Sequence, residues 1–422
     1  MFQLKRIIRS FVFWIMIKLK IYYNESDSKK YQSFEFISVK KYFKKSNKKL
    51  FLKNNNSWIT LFPDVTVKID RPKFSYFNKY NKNFILEKNS AYSLKDLSKR
   101  NKISGSILAN LKNVKIINDT LLILIEKNLA LLEVYGDLNW ANFILNKWPN
   151  KHHHPISSIK FYKKPKIIKR VKIYKESKNI KNIQKGIYFS TRDDNQIYHW
   201  IFDNLTRLYC LDKIPQLRNY PLIIKNNLSK FQKETLKLIG YKNKIIYQKE
   251  GDLNVENLIF PSIPSPPVLN INALRWLRNK FLKNIKKNYK ISNINFSKKI
   301  FISRNDTNHR KILNEDELSQ KLSKLGYQTI ELSKLKIHEQ MLLFHNAKEI
   351  ILPHGAAGIH LLFVKKNTNI VEIQSPDQLN NSLYLISKSF NANHKILIGN
   401  NPVKGYEKNY YVNIDKIVKS LE

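Results

Sequence analysis

The sequence has a single cysteine, Cys210, in 422 residues. No disulfide can form within the chain, which fits a reducing compartment. Acidic residues are scarce, 32 against 76 Lys and Arg, for a net charge of +44. The apolar run near the N-terminus, Phe11 to Ile17, is bracketed by Arg9 and Lys18 and falls short of the ~20 residues of a membrane span. No small-residue cleavage site follows it, so it does not read as a signal peptide. CxxC, HExxH and complete Walker patterns are missing, as is a DxD pair of the kind that holds a metal. Asp193 and Asp194 in "TRDDN" are adjacent rather than spaced by one and read as a polar loop. The three consecutive histidines of "KHHHP" cannot all face one metal from a regular element, so they too read as a solvated loop. No metal site is expected.

A hydrophobic share of 42% excludes a disordered chain and supplies real cores. The positive charge has three readings: a nucleic-acid partner, attraction to an anionic membrane surface, or compositional drift. Lys is scattered throughout in the company of Asn and Ile, which favours drift with membrane attraction as a by-product, and no nucleic-acid partner is expected. The basic segment before residue 23 reads either as an interfacial membrane helix or as an amphipathic helix packed on its own domain. The chain is expected in the cytoplasm, possible attachment being peripheral on the membrane face. A basic nucleic-acid-binding or membrane-associated scaffold without catalysis is the competing reading.

Along the chain, residues 1–60 read as a basic peripheral segment. Short strands from Val114 predict a small antiparallel piece. From Gly186, strands alternate with helices, as in a mostly parallel sheet. A proline-dense stretch from Pro261 to Asn270 suits a crossing between domains, after which the alternation resumes. The expected fold is α/β, with two Rossmann-like halves facing a cleft: an acceptor-side domain over 61–270, a donor-side domain over 271–400 and a tail over 401–422.

Three segments carry candidate chemistry. In "KEIILPHGAAGIHLLF" an apolar strand ends at Pro353, and the turn His354-Gly355-Ala356 leads into a helix. Small residues let a backbone approach a ligand, and a helix N-terminus favours an anion; tight packing explains such a turn equally well. In "IFISRNDTNHRKILNEDE", Arg304 follows a strand and Arg310 precedes a helix. Two guanidinium forks suit a diphosphate, the bland alternative being solvated cations. In "YHWIFDNLTR", His199 and Asp203 are four apart, on one helix face. That pair reads as a carboxylate-supported base or as a helix-lining contact.

Taken in order, these segments resemble glycosyltransferase family 61, the capsular polysaccharide biosynthesis proteins. "YHWIFDNLTRL" is similar to the family's Tyr-His-Trp-Leu-x-Asp-x-Leu-Pro-Arg-Leu, "FISRNDTNHRKILNEDEL" to its Ser-Arg…Arg…Asn-Glu, and the His354 turn to its His-Gly-Ala segment. The resemblance spans Gly186 to Ser375. Thr206 stands where the family has Pro, and Ala357-Gly358 replaces Gly-Leu. The resemblance implies a GT-B fold, inversion at the sugar carbon and no obligatory metal or other cofactor. It implies a nucleotide-sugar donor, with UDP as the expected carrier, and a glycan acceptor, possible lipid linkage included. It places Arg304, His354, Gly355 and Ala356 around the donor diphosphate; the residues themselves add Arg310 to that group and offer His199 or Asp203 as the base. Glu372, ending "IVEI", is a ribose or sugar contact or a structural carboxylate. Glu339 and Gln340 also match the family, as site residues or simply as braces of the site.

Overall fold

The computed structural model describes residues 31–67, 73–75, 101–103, 105–117, 122–126, 129–135, 159–160, 170–174, 179–191, 193–225, 227–248, 251–264, 270–289, 297–376, 379–400 and 409–421. The expected N-terminal helix, the histidine run and the middle of the proline-rich crossing lie outside them.

Two large sheets carry the molecule. In the first, β1 (Ser106–Ile116) lies antiparallel to β5 (Asp252–Pro261). Beyond β5 follow β2 (Ile180–Tyr188), β3 (Leu222–Ile224) and β4 (Ile245–Tyr247). The order is β1-β5-β2-β3-β4, with β5, β2, β3 and β4 mutually parallel. The sheet is broader than the sequence suggested. Tyr31–Ile37 and Ser57–Phe62, both within the segment expected to be peripheral, are strands of it. Ser57, Ile59, Leu61 and Phe62 are buried, an inward-facing pattern hidden by the lysines on either side. The expected antiparallel piece is also part of this sheet rather than a separate unit.

The second sheet is parallel throughout. Its order is β7 (Gln328–Ile330), β6 (Lys299–Ile302), β8 (Glu349–Pro353), β9 (Asn369–Gln374) and β10 (Asn393–Ile398). A strand from far earlier in the chain, Lys73–Ser75, completes the far edge. Lys73–Ser75 thus crosses the domain boundary expected near residue 270. The region expected as a tail is docked: Tyr410 is buried, and the helix Ile414–Lys419 packs on the second half.

Helices cover both sheets for readable reasons. In α1 (Lys230–Ile239), Ser229 and Gln232 form a capping box, and Gly240 closes the helix at φ 86°, a left-handed conformation that glycine adopts without a Cβ clash. In α2 (Ile271–Asn288), the Asn270 side chain caps the first turn. Three carboxylates open α3 (Glu315–Lys324), where they oppose the positive end of the helix dipole. Next come α4 (Ile337–Asn346) and α5 (Ser382–Lys388). One apolar cluster runs from Phe189, Trp200 and Phe202 of the first half, through Leu277 and Phe281 of α2, to Met341, Phe344 and Leu362 of the second.

The strand orders locate the crevices. In the first sheet the chain winds from β2 out to β4 and returns on the other side of β2 as β5. In the second it winds from β6 to β7 and returns as β8. Ligands of open α/β sheets favour such reversal points, at the carboxyl ends of the strands. The two crevices therefore lie between Tyr188 and Pro261, and between Ile302 and Pro353. Among the described residues no helix is long and apolar enough to cross a membrane.

Candidate functional site

The second crevice is open. A cavity of about 360 Å³ lies there, walled by Ile302, Ser303, Arg304, Pro353, Ala356 and Ala357, with Ile197 and Phe231 reaching in from the first half. Arg304, directly after β6, is held by its main chain: its N–H donates to both carboxylate oxygens of Glu315, at 3.2 and 3.1 Å. The Ser303 hydroxyl donates to the same carboxylate. Burial pushes the Glu315 carboxyl up, against the pull of these donors. Arg304 Nε donates to the His309 carbonyl at 2.9 Å, and the guanidinium lies against Gly355, where a Cβ would come 1.8 Å from Nη1.

Arg310 stands close enough to oppose the charge of Arg304. Burial, the larger cause, and this neighbour both lower the Arg304 guanidinium from its usual range. Burial lowers Arg310 too. Among the described residues no carboxylate pairs with either guanidinium. Arg310 also sits at φ 55°, in the left-handed region, where the other non-glycine residues are all asparagine. Asp306 and Glu315 offset part of the charge on Arg304 without a direct ion pair, so two neighbouring half-buried cations, one on a disfavoured backbone, are what a bound polyanion would further compensate.

The turn at His354 departs from expectation. Its N–H continues the sheet by donating to the Ile373 carbonyl, and its ring points away from the cavity wall into the protein. There Nδ1 lies 2.5 Å from Glu372 Oε1. Glu372 is fully buried and also accepts from Gln374 Nε2 at 2.8 Å. His394 Nε2 approaches its other oxygen at 3.0 Å, off the hydrogen-bond line. Burial alone would raise the Glu372 carboxyl, but the two imidazoles outweigh it and hold it at about 2. Enclosed in this way, Glu372 supports His354 and does not reach a ribose or sugar, which corrects the direct contact weighed for it. The helix after the turn, Ala356–Phe363, is 3-10 rather than α. Gly358 faces Leu383 of α5, whose Cδ1 would lie 2.2 Å from an added Cβ. The Ala357-Gly358 departure is thus a packing feature.

The first crevice is filled. Arg207, fully buried, donates through Nε to Pro261 O at 2.6 Å and through Nη2 to Tyr188 O at 2.8 Å. Its Nη1 donates to Phe189 O and Ser190 O at 3.2 and 3.3 Å. These carbonyls lie at or just beyond the carboxyl ends of β2 and β5. Burial lowers the guanidinium to about 10, which leaves it charged at neutral pH.

The same helical segment carries the candidate base. It begins as α-helix at Ile197–His199, opens into a π turn over Trp200–Asn204 and tightens to 3-10 over Leu205–Leu208. Thr206 Oγ1 bonds back to the Phe202 carbonyl at 2.6 Å. His199 Nδ1 and Asp203 Oδ2 are 2.7 Å apart, so the helix spacing does produce the pair. The Nδ1 proton therefore faces Asp203, leaving the Nε2 side of the ring to face Asp193, whose Oδ2 is 3.9 Å away. His199 does not line the cavity, but its segment packs against Ala356–Phe363 and Ile197 enters the wall.

Three contributors escaped the sequence reading. Asp193 and Asp194 do lie in a loop, as expected, but they are buried; adjacent acids carry no signal of that. Glu315 looked like an ordinary first-turn acid. Gln340 does brace the site: its amide donates to Leu332 O and Leu335 O, which turns its oxygen to His360 Nε2 at 2.8 Å. Burial then lowers His360 to about 3, so its ring is neutral.

The cavity, the unpaired arginines and the supported imidazole all fall in one stretch that can be compared with known proteins. No curated protein matches the chain. Residues 197–371 match the family model described as Glycosyltransferase 61. This stretch, which holds the His199 helix, Arg304 and the His354 turn, is similar to glycosyltransferase family 61.

Proposed function

We propose that this glycosyltransferase inverts the sugar carbon, taking a sugar from a nucleotide-sugar donor, with UDP as the carrier, and passing it to a glycan acceptor in surface or capsular polysaccharide synthesis. The observation that carries the reading is Arg304, lining an open switch-point cavity with Arg310 close behind it and no carboxylate salt bridge to either among the described residues. The donor diphosphate is their counter-ion in this reading. Ala356 and Ala357 add main-chain N–H groups at the start of a helix, where intrahelical acceptors are lacking. Gly355 and His354 shape the turn from behind.

The chemistry then follows from charge. The acceptor hydroxyl attacks the anomeric carbon from the face opposite the diphosphate, its proton passes to His199 Nε2, and the sugar–phosphate bond breaks towards the arginines. Asp203 steadies the imidazolium that forms, and the guanidinium groups take up the charge growing on the leaving diphosphate. The positions of Ile197 and Phe231 in the cavity wall support a GT-B-like division of labour, with the acceptor on the first half and the donor on the second. The steps use side chains alone and call for no metal. The surplus of lysine is compatible with peripheral attachment to a cytoplasmic membrane surface.

A thermal-shift series with UDP-, GDP- and CMP-sugars tests the reading. A donor that binds the folded state raises the melting temperature by mass action. The expected result is a rise with the UDP-sugars that disappears in Arg304→Ala. Equal shifts in the wild type and Arg304→Ala would sink the donor site.

A further inference from the structure

We propose that Gly355 and Glu315 are positioning residues that act on the bound anion only through Arg304. This rests on the donor-diphosphate reading above and says how the grip is built. Arginine has large rotamer freedom, and a cation that must be ordered by its ligand binds more weakly than one already held. Arg304 is held at three places. The buried Glu315 carboxylate fixes the Arg304 main-chain N–H and the hydroxyl of the preceding Ser303. The His309 carbonyl takes the Nε proton. The third hold is the absence of a side chain at residue 355: an added Cβ would lie 1.8 Å from Nη1 and 2.8 Å from Cζ.

Gly355 has φ 170°, extended backbone open to any residue, so the turn does not need glycine for its conformation. The room it leaves is taken by a guanidinium, not by a ligand. Among the described residues Nη1 and Nη2 have no acceptor, and Arg304 lines the cavity. Main-chain anchor, Nε anchor and glycine seat thus leave the two terminal nitrogens for the anion. Neither Gly355 nor Glu315 has to touch it.

The test is the affinity of the full chain for inorganic diphosphate, by calorimetry, in a set of variants. Gly355→Ala, Glu315→Gln and Arg304→Ala should each weaken binding about tenfold, and adding either of the first two to Arg304→Ala should cost less than about twofold, since residues acting through one group are not additive. Gly355→Ala should keep the wild-type melting temperature, because only the end of a flexible side chain must move. It therefore carries the test even if Glu315→Gln folds poorly. Single variants that bind like the wild type, or that weaken binding by the same factor with and without Arg304, overturn the inference alone. A wild type that binds no diphosphate, or an Arg304→Ala variant that binds it unchanged, overturns the donor site and this inference together.

Discussion

Both sheets reverse their winding at a crevice, and both crevices hold an arginine, yet only one is a candidate site. Arg207 gives its donors to four carbonyls beside its own strands. Arg304 gives one, through Nε, to His309 and keeps the rest at a cavity. The strand order alone therefore does not make a binding site. What decides is whether the polar groups at the reversal are consumed by the fold or left for a ligand. Arginine serves either purpose because its planar fork satisfies several acceptors at once.

The largest expected effect is on the filled crevice. Arg207→Ala takes a donor from four buried carbonyls, of which Phe189 O keeps Asn204 Nδ2, and it also empties a buried site, at about 1–3 kcal/mol for each group left unsatisfied. The sum reaches the whole stability of a typical domain, about 5–15 kcal/mol, so the variant should lose its cooperative urea transition by circular dichroism. A variant within about 1 kcal/mol of the wild type would erase the distinction between the crevices. Arg304→Ala should do the reverse. It should leave the urea midpoint nearly unchanged and weaken UDP binding tenfold to about a hundredfold, since a charged hydrogen bond contributes about 1.5–3 kcal/mol.

Smaller effects sharpen the contrast within the open crevice. Gly358→Ala should destabilise by about 1–3 kcal/mol through overpacking against Leu383, whereas Gly355→Ala should not. The last prediction concerns acid. His360 titrates at about 3 in the fold against an ordinary 6.5, so the unfolded chain binds the extra proton below pH 6.5. Its contribution is fully present above pH 6.5 and is lost as pH falls towards 3, at a slope of up to about 1.4 kcal/mol per pH unit. Glu372, held at about 2 against 4.5, adds to the loss only below about pH 4.5. His360→Asn should therefore flatten urea stability between pH 6.5 and 4.5; an unchanged slope there would remove His360 as its source.

Much of this was legible in the sequence where periodicity or spacing carries the signal. The alternation of strands and helices from Gly186 and the four-residue step from His199 to Asp203 translated directly into structure. The turn at Gly355 was found for the wrong reason: its missing Cβ makes room for Arg304, a residue 51 positions away. Glu372 was left open between a sugar contact and a structural carboxylate, because one strand end looks like another until the neighbouring strand and two histidines enclose it. Asp193 and the plugging role of Arg207 were invisible, since each depends on which strand ends meet. Ser57–Phe62 was masked by the lysine-rich sequence around it, although Ser57, Ile59, Leu61 and Phe62 turn inward.

The strand Lys73–Ser75 has a practical meaning for anyone dissecting this enzyme. It lies parallel along β10, pairing Lys395 to Leu397 with Lys73 to Ser75. A fragment begun after residue 270 to isolate the second half would lack it, and the backbone of β10 would become a raw sheet edge, a template for self-association. Such a fragment should precipitate or dimerise unless the missing strand is supplied as a peptide or grafted through a loop. The chain is therefore better divided by complementation than by truncation.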